Sequence, residues 1–287
     1  MTDHPNPGHG TPAGCYDAIV LGGGLAGLTL ALQIKKARPN TSVLVLERRP
    51  HPVPEAAHKV GESTVEISAH YFTDVLGLAE HIRTHQLRKN GLRFFWRTRR
   101  DEPLHAGLEM GYRTALPTPS YQLDRGVLEN YLGEHARQMG IDFADGARVT
   151  GVTLGGGRDD HEVAWTCGDE PASASCRWVL DASGRRAILR HQLGLSRETG
   201  HLANAAWFRV DTTVDIERFC DSAAWRQRGQ GDGPRYLSTN HLMGRGYWVW
   251  LIPLSSGSTS IGIVADPALH PLDSYNTFDK SMAWLDQ

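Results

Sequence analysis

Apolar residues recur along this chain first as short unbroken runs and helical stripes, and later in strand-like alternation. From Tyr16 to Leu21 a run of six, Tyr-Asp-Ala-Ile-Val-Leu, has the length and β-branched content of a buried parallel strand. The turn Gly22-Gly23-Gly24-Leu25-Ala26-Gly27 follows, and Leu28, Leu30, Leu32 and Ile34 then sit in helix-forming context up to the break at Arg38-Pro39-Asn40. Ser42 to Leu46 is strand-like again and stops at Glu47. Val65 to Ile82 predicts one helix, with Ser63 or Thr64 as its cap. Leu92, Phe94 and Trp96 alternate as one face of a strand. Asp124 is placed to cap a helix from about Arg125 to Gln138, ahead of a strand at Ile141 to Ala144.

The second half changes rhythm. Short β-rich stretches from Arg148 to Thr166 surround a Gly155-Gly156-Gly157 turn, and an apolar strand at Trp178-Val179-Leu180 stops at Asp181-Ala182-Ser183-Gly184. From about Leu202 the pattern is that of an antiparallel sheet, with Ala205 to Val210, Tyr247 to Leu254 and Ser258 to Ala265 as its clearest strands. The expected class is α/β, a Rossmann-like domain joined to an antiparallel sheet. There is no internal repeat.

Strand, glycine turn, helix, strand and terminal acid follow one another as a dinucleotide site requires. Gly22 permits the tight turn, Gly24 lets backbone approach a pyrophosphate, and Gly27 lets helix and strand pack closely. The helix N-terminus offers unpaired N–H groups and a partial positive charge, and Glu47 is placed to accept hydrogen bonds from ribose hydroxyls. This pattern alone does not separate FAD from NAD.

Composition narrows the possibilities. A formal net charge of -2 over 287 residues gives no field for phosphate backbones or anionic membranes, so neither nucleic acid nor membrane is an expected partner. No run approaches the roughly 18 apolar residues of a membrane span. Four cysteines, Cys15, Cys167, Cys176 and Cys220, have neither metal-ligand spacing nor the density of a disulfide scaffold, and predict reduced thiols in a cytoplasmic protein. Residues 1–14, rich in Pro, Gly, His and Thr, read as a loose tail. The fourteen histidines are scattered, and no metal site is expected.

Gly22-x-Gly24-x-x-Gly27, Gly61-Glu62-Ser63-Thr64, Asp181-Ala182-Ser183-Gly184 and Trp248-Val249-Trp250-Leu251-Ile252-Pro253 together resemble the motif set of the flavin-dependent halogenases. The last is the most specific. It departs from the family's Gly-Trp-x-Trp-x-Ile-Pro in having Tyr247 directly before Trp248, with Gly246 one position earlier. The resemblance runs from Tyr16 to about Ala265 and lies nearer the branch acting on phenols and pyrroles than the tryptophan halogenases.

The resemblance implies FAD, supplied as FADH2, bound by Gly22, Gly24, Leu25, Ala26, Gly27, Glu47, Arg48, Gly61, Glu62, Ser63, Arg125, Asp181 and Gly184. It implies that Trp248 and Trp250, on one face of a strand, wall organic substrate from flavin. Lys89, in Lys89-Asn90-Gly91-Leu92-Arg93-Phe94, matches the lysine that hydrogen-bonds hypohalous acid or becomes a haloamine. The implied co-reactants are a small-molecule substrate, halide, O2 and a separate flavin reductase. The implied domains are an FAD-binding domain of residues 15–89 and 120–193 and a substrate-side sheet of 90–119 and 194–287. That sheet is expected to be incomplete, because the Gly-Asp-Ala segment of such enzymes has no counterpart after Pro253. The alternatives are an FAD-dependent monooxygenase or reductase and a non-catalytic FAD-binding fragment. A nicotinamide-dependent dehydrogenase is disfavoured, since it gives Gly61-Glu62 and Asp181-x-x-Gly184 no role.

Overall fold

A computed structural model describes residues 14–56, 59–99, 102–114, 116–157, 160–229 and 234–286. The expected tail lies outside these residues apart from Gly14. In chain order the strands are β1 (Cys15–Leu21), β2 (Val43–Glu47), β3 (Leu87–Lys89), β4 (Leu92–Trp96), β5 (Leu108–Met110), β6 (Ser120–Gln122) and β7 (Asp142–Asp145). They continue as β8 (Ala147–Thr153), β9 (His161–Cys167), β10 (Glu170–Asp181), β11 (Asn204–Val210), β12 (Thr239–Gly244), β13 (Tyr247–Pro253) and β14 (Thr259–Ala265). The helices are α1 (Leu25–Ala37), α2 (Glu66–His70), α3 (Ala79–His85), α4 (Arg125–Gln138), α5 (Ile188–Gln192), α6 (Ala223–Gly229) and α7 (Phe278–Leu285). None of them is long and apolar enough to cross a membrane.

The chain divides into two units, residues up to 55 with 126–198, and residues 56–125 with 199–287. In the first, six strands lie in the order β7-β2-β1-β10-β9-β8. β1 runs parallel to both β2 and β10, and β2 parallel to β7, while β8 and β9 close the sheet antiparallel. The apolar runs explain the core: Ile19, Leu21, Leu44 and Leu46 are buried with Val163, Trp165 and Cys176. Leu28, Ala31 and Leu32 of α1 are buried too. Since β1 continues to β2 on one side and is flanked by β10 on the other, its C-terminal end is a topological switch point.

The second unit is built on the sheet β11-β14-β13-β12-β4-β5, antiparallel except where β12 runs parallel to β4. A separate ribbon pairs β3 with β6. One face of the large sheet packs Phe95, Leu251 and Trp225 with Ile216, and Val249 and Ile263 with Tyr275. The expected strands at Tyr247 and Thr259 are present, while β5 and β12 have no counterpart in the sequence pattern.

Two local expectations are corrected. The single helix over Val65 to Ile82 is broken: α2 passes into a π-helical turn at Tyr71–Val75, and Gly77, with φ +76°, precedes the separate α3. Neither Ser63 nor Thr64 caps α2, whose first flanking residue is Val65 with no side-chain cap. Their hydroxyls go instead to Thr239 and to the Tyr121 backbone. The two units divide at 55/56, 125/126 and 198/199, and β3 and β6, paired with each other, both fall in the second.

The tightest constraint in the first unit is at Gly27, where a Cβ would lie 1.9 Å from Gly22 O and 3.2 Å from Val20 Cγ1. Gly27→Ala is expected to destabilise this unit by about 2–3 kcal/mol through overpacking. Urea unfolding checks this as a lowered midpoint at unchanged slope; an unaltered midpoint would contradict the packing.

Candidate functional site

In the first unit, β1 ends at Leu21 beside Asp181 of β10, and the chain turns through Gly22 at φ +111°. A Cβ at Gly22 would lie 2.4 Å from Ala182 O, so only glycine fits between the two strand ends. Gly24 caps α1 at φ −79°, and no protein atom lies within 4 Å of the position its Cβ would take. Here the protein itself does not require glycine. The α1 N-terminus has no side-chain cap and no acidic residue in its first turn, so the donors at Leu25 and Ala26 face no competing carboxylate from their own helix. Glu47 Oε2 accepts from Gly23 N at 2.7 Å and Oε1 from Arg49 N at 2.9 Å, which fixes the carboxylate beside the glycine turn, with Arg48 exposed next to it.

Asp181 stabilises the facing turn. Its carboxylate accepts from Ser183 N, Ser183 Oγ and Leu189 N at 3.0, 2.5 and 2.8 Å, and Gly184 takes φ +61°. Burial raises the Asp181 pKa, but these Ser183 and Leu189 bonds outweigh it and hold the carboxyl below its ordinary value.

In the second unit, Lys89 is 4% exposed. It is not part of a solvated basic run: its Nζ donates to Ser63 Oγ at 2.9 Å and to Thr64 O at 2.6 Å. Thr239 Oγ1 lies 2.8 Å from Ser63 Oγ and donates to Gln122 Oε1 at 3.1 Å. Each hydroxyl has one proton, so the donors run in one direction, Lys89 to Ser63 to Thr239 to Gln122. Burial pushes the Lys89 ammonium down to about 8, against the opposing charge of Glu66. When neutral, the amine spends its two N–H groups on Ser63 and Thr64 and keeps a free lone pair.

Glu62 is 3% exposed, and its Oε1 has no hydrogen-bond partner. Burial pushes its carboxyl up to about 6, a shift limited by the Ser260 hydroxyl and the Arg209 guanidinium and reinforced by Asp124. Asp124, expected as a helix cap, gives both carboxylate oxygens to Arg209 at 3.4 and 3.0 Å. Arg125 Nη1 donates to Val60 O at 2.6 Å, close to Gly61, which takes φ +93°.

Sheet register sets these groups beside an aromatic face. Trp250 lies opposite His241 and Gly262, and His241 opposite Phe94; Trp248 lies opposite Met243, and Met243 opposite Trp96. Residues so paired share one face. A Cβ at Gly262 would meet the Trp250 ring at 2.2 Å, so the indole lies across that glycine, and Trp250 Nε1 donates to Ser260 Oγ at 3.2 Å. His241 stacks on Phe94 at 4.8 Å; burial holds its pKa below the ordinary value against a hydrogen bond to Arg93 O, and the Lys89 charge lowers it further. Tyr247 starts β13 on the opposite face, against Trp284, with Gly246 at φ +74° in the preceding turn. The extra residue in the motif therefore leaves both tryptophans on a common face.

The structure thus gathers Gly22, Gly24, Leu25, Ala26, Gly27, Glu47, Asp181 and Gly184 in one unit, and Gly61, Glu62, Ser63, Lys89, Arg125, Trp248 and Trp250 in the other. Sequence reasoning missed Thr239, Gln122, Arg209 and Ser260, and no local motif marks them. Among the described residues, no three His, Cys, Asp or Glu side chains are grouped to hold a metal ion.

The chain is similar to known FAD-binding proteins. The sequence pattern of the FAD binding domain family matches residues 15–261. Flavin-dependent halogenase chlA of Dictyostelium discoideum is 26% identical over 95% of this chain and 48% of its own length. The 1H-pyrrole-2-carbonyl-(peptidyl-carrier protein) chlorinase of Pseudomonas fluorescens is 27% identical over 87% of this chain and 55% of its own. The chain spans about half the length of the curated relatives it matches. The crystal structure of halogenase PltM in complex with phloroglucinol and FAD superposes with a TM-score of 0.75 at 20% identity, covering 94% of this chain and 55% of that one, a likeness of fold.

The Glu62 environment yields a pH dependence. Because its folded pKa is raised from 4.5 to about 6, the native state holds the proton more tightly, and the stability this gives is lost as pH rises through that window. Glu62→Gln cannot ionise, so between pH 4.5 and 7 its stability should improve relative to wild type by about 2 kcal/mol. Thermal unfolding at the two pH values measures this; a difference independent of pH would contradict the raised pKa of the buried carboxyl.

Proposed function

Because the chain belongs to the FAD binding domain family, we propose that the full-length protein is a flavin-dependent halogenase acting on an electron-rich aromatic or similar carbon. The observation that carries this reading is Lys89, a lysine withdrawn from water whose Nζ donates to Ser63 Oγ and Thr64 O and whose pKa burial lowers to about 8. The similarity to a halogenase and a chlorinase over most of this chain supports it.

The residues present fit FAD. Gly24 has empty space where a Cβ would stand, beside an uncapped helix N-terminus suited to a pyrophosphate. In this reading Gly22, Gly24, Leu25, Ala26 and Gly27 hold the phosphates, Glu47 and Arg48 the adenosine end, and Asp181 and Gly184 the ribityl part. Gly61, Glu62, Ser63 and Arg125 are the cofactor contacts carried by the second unit. Bound in reduced form, FAD supplies two electrons which, with O2, a proton and chloride or bromide, give hypohalous acid and water.

Lys89 then acts on that oxidant. Its ammonium donates a hydrogen bond to hypohalous acid, or its neutral amine takes the halogen and releases water, and either species halogenates a carbon that gives up its proton. Ser63 and Thr64 fix the amine, while Trp248 and Trp250 present a rigid aromatic wall to the substrate side. The reading includes a separate flavin reductase as the source of FADH2 and a cytoplasmic location, in keeping with four free cysteines.

Three variants test it. Gly24→Val should fold normally, since its side chain meets no protein atom within 4 Å at Cβ, yet lose FAD on gel filtration; retained flavin absorbance would sink the cradle assignment. Lys89→Ala should keep FAD and its oxidation by O2 while single-turnover halogenation of a phenol or pyrrole falls about 10²-fold or more. Lys89→Arg should rescue little, because a guanidinium stays protonated. Undiminished halogenation in Lys89→Ala would remove the lysine from the mechanism.

A further inference from the structure

On the face of the second unit's sheet opposite the tryptophans, a cavity of about 260 Å³ is lined by four arginines, Arg93, Arg113, Arg228 and Arg235, with Glu109 and Trp225. Arg93 and Arg235 form its buried side, with side chains 5% and 2% exposed. Both are neutralised by carboxylates. Arg93 donates to Glu109 at 2.5 Å and to Tyr112 O; Arg235 donates to both oxygens of Glu109 at 2.7 and 2.9 Å and to Glu217 at 3.0 and 3.1 Å. The Arg235 guanidinium also lies 3.9 Å over the Trp225 ring.

Two arginines therefore match two carboxylates, and the other two are left over. Arg113 and Arg228 are exposed and have no ion pair or hydrogen bond among the described residues. Trp225 and Arg228 are three residues apart on α6, so they share one helix face. Arg93 Nε is buried and without a hydrogen-bond partner, leaving one more donor unspent. Another lining residue, His105, has its Nδ1 3.1 Å from Cys220 Sγ.

We propose that this cavity is an anion site for a small doubly charged oxyanion, a phosphate ester or a dicarboxylate, gripped by Arg113 and Arg228 above the buried Arg93–Glu109–Arg235–Glu217 network. Planar guanidiniums suit the bidentate recognition of such groups, and the network beneath keeps the floor rigid and electrically balanced. The site does not rest on the flavin reading, and failure of either leaves the other standing.

The test is isothermal titration of the full-length, FAD-saturated protein with inorganic phosphate and with succinate, with sodium chloride at matched ionic strength as control. FAD saturation keeps phosphate off the glycine turn. One of the two dianions should bind saturably where chloride does not; tighter phosphate assigns a phosphate ester and tighter succinate a dicarboxylate. The paired Arg113→Glu and Arg228→Glu variant should weaken binding by about tenfold or more, the loss of charge-assisted bonds at exposed positions. The single variants Arg113→Gln and Arg228→Gln, checked by circular dichroism, should each weaken it partially. No saturable binding by either dianion, equal binding by chloride, or unchanged affinity in the folded variants would overturn the site.

Discussion

A carbonyl oxygen, Gly22 O, lies where the Cβ of any residue but glycine at position 27 would have to be, and the first unit is arranged around that approach. It lets α1 start directly at the end of β1, and so brings uncapped helix donors to the C-terminal edge of a parallel sheet. Gly22 in turn admits Ala182 O, which brings the Asp181 turn alongside. Glu47 closes the arrangement by accepting from Gly23 N. The glycine turn, Glu47 and, from far along the chain, the Asp181 turn meet at this edge of the sheet.

The second unit has a different problem, the burial of charge. Asp124 and Arg209 satisfy each other, and Glu109 and Glu217 satisfy Arg93 and Arg235. Lys89 and Glu62 have no such direct partner, and burial moves both toward their neutral forms. The directional chain from Lys89 through Ser63 and Thr239 to Gln122 gives the lysine polar but uncharged neighbours, and the Glu66 charge restores its pKa only in part.

What was legible in the sequence follows chain distance. Strand, glycine turn, helix, strand and acid lie within residues 15–47, and local chemistry alone specifies them. The tryptophan pair is likewise legible, because a two-residue period fixes a common face whatever the strand pairs with. The Lys89 and Glu62 environments are not, since Ser63 and Thr239 are 176 residues apart and Asp124 and Arg209 are 85 apart. The helix expected over Val65 to Ile82 fails at Gly77, whose left-handed backbone ends it where apolar periodicity alone continues. Hydroxyls that look like caps at Ser63 and Thr64 are drawn into tertiary hydrogen bonds, which local propensity does not anticipate.

The most direct measurement is a single turnover of the full-length protein, reduced anaerobically, then mixed with oxygenated buffer and an electron-rich phenol, with and without bromide, and read by mass spectrometry. The account predicts a brominated phenol that appears only with bromide. A hydroxylated phenol formed equally without halide would contradict it and make the protein an oxygen-transferring monooxygenase.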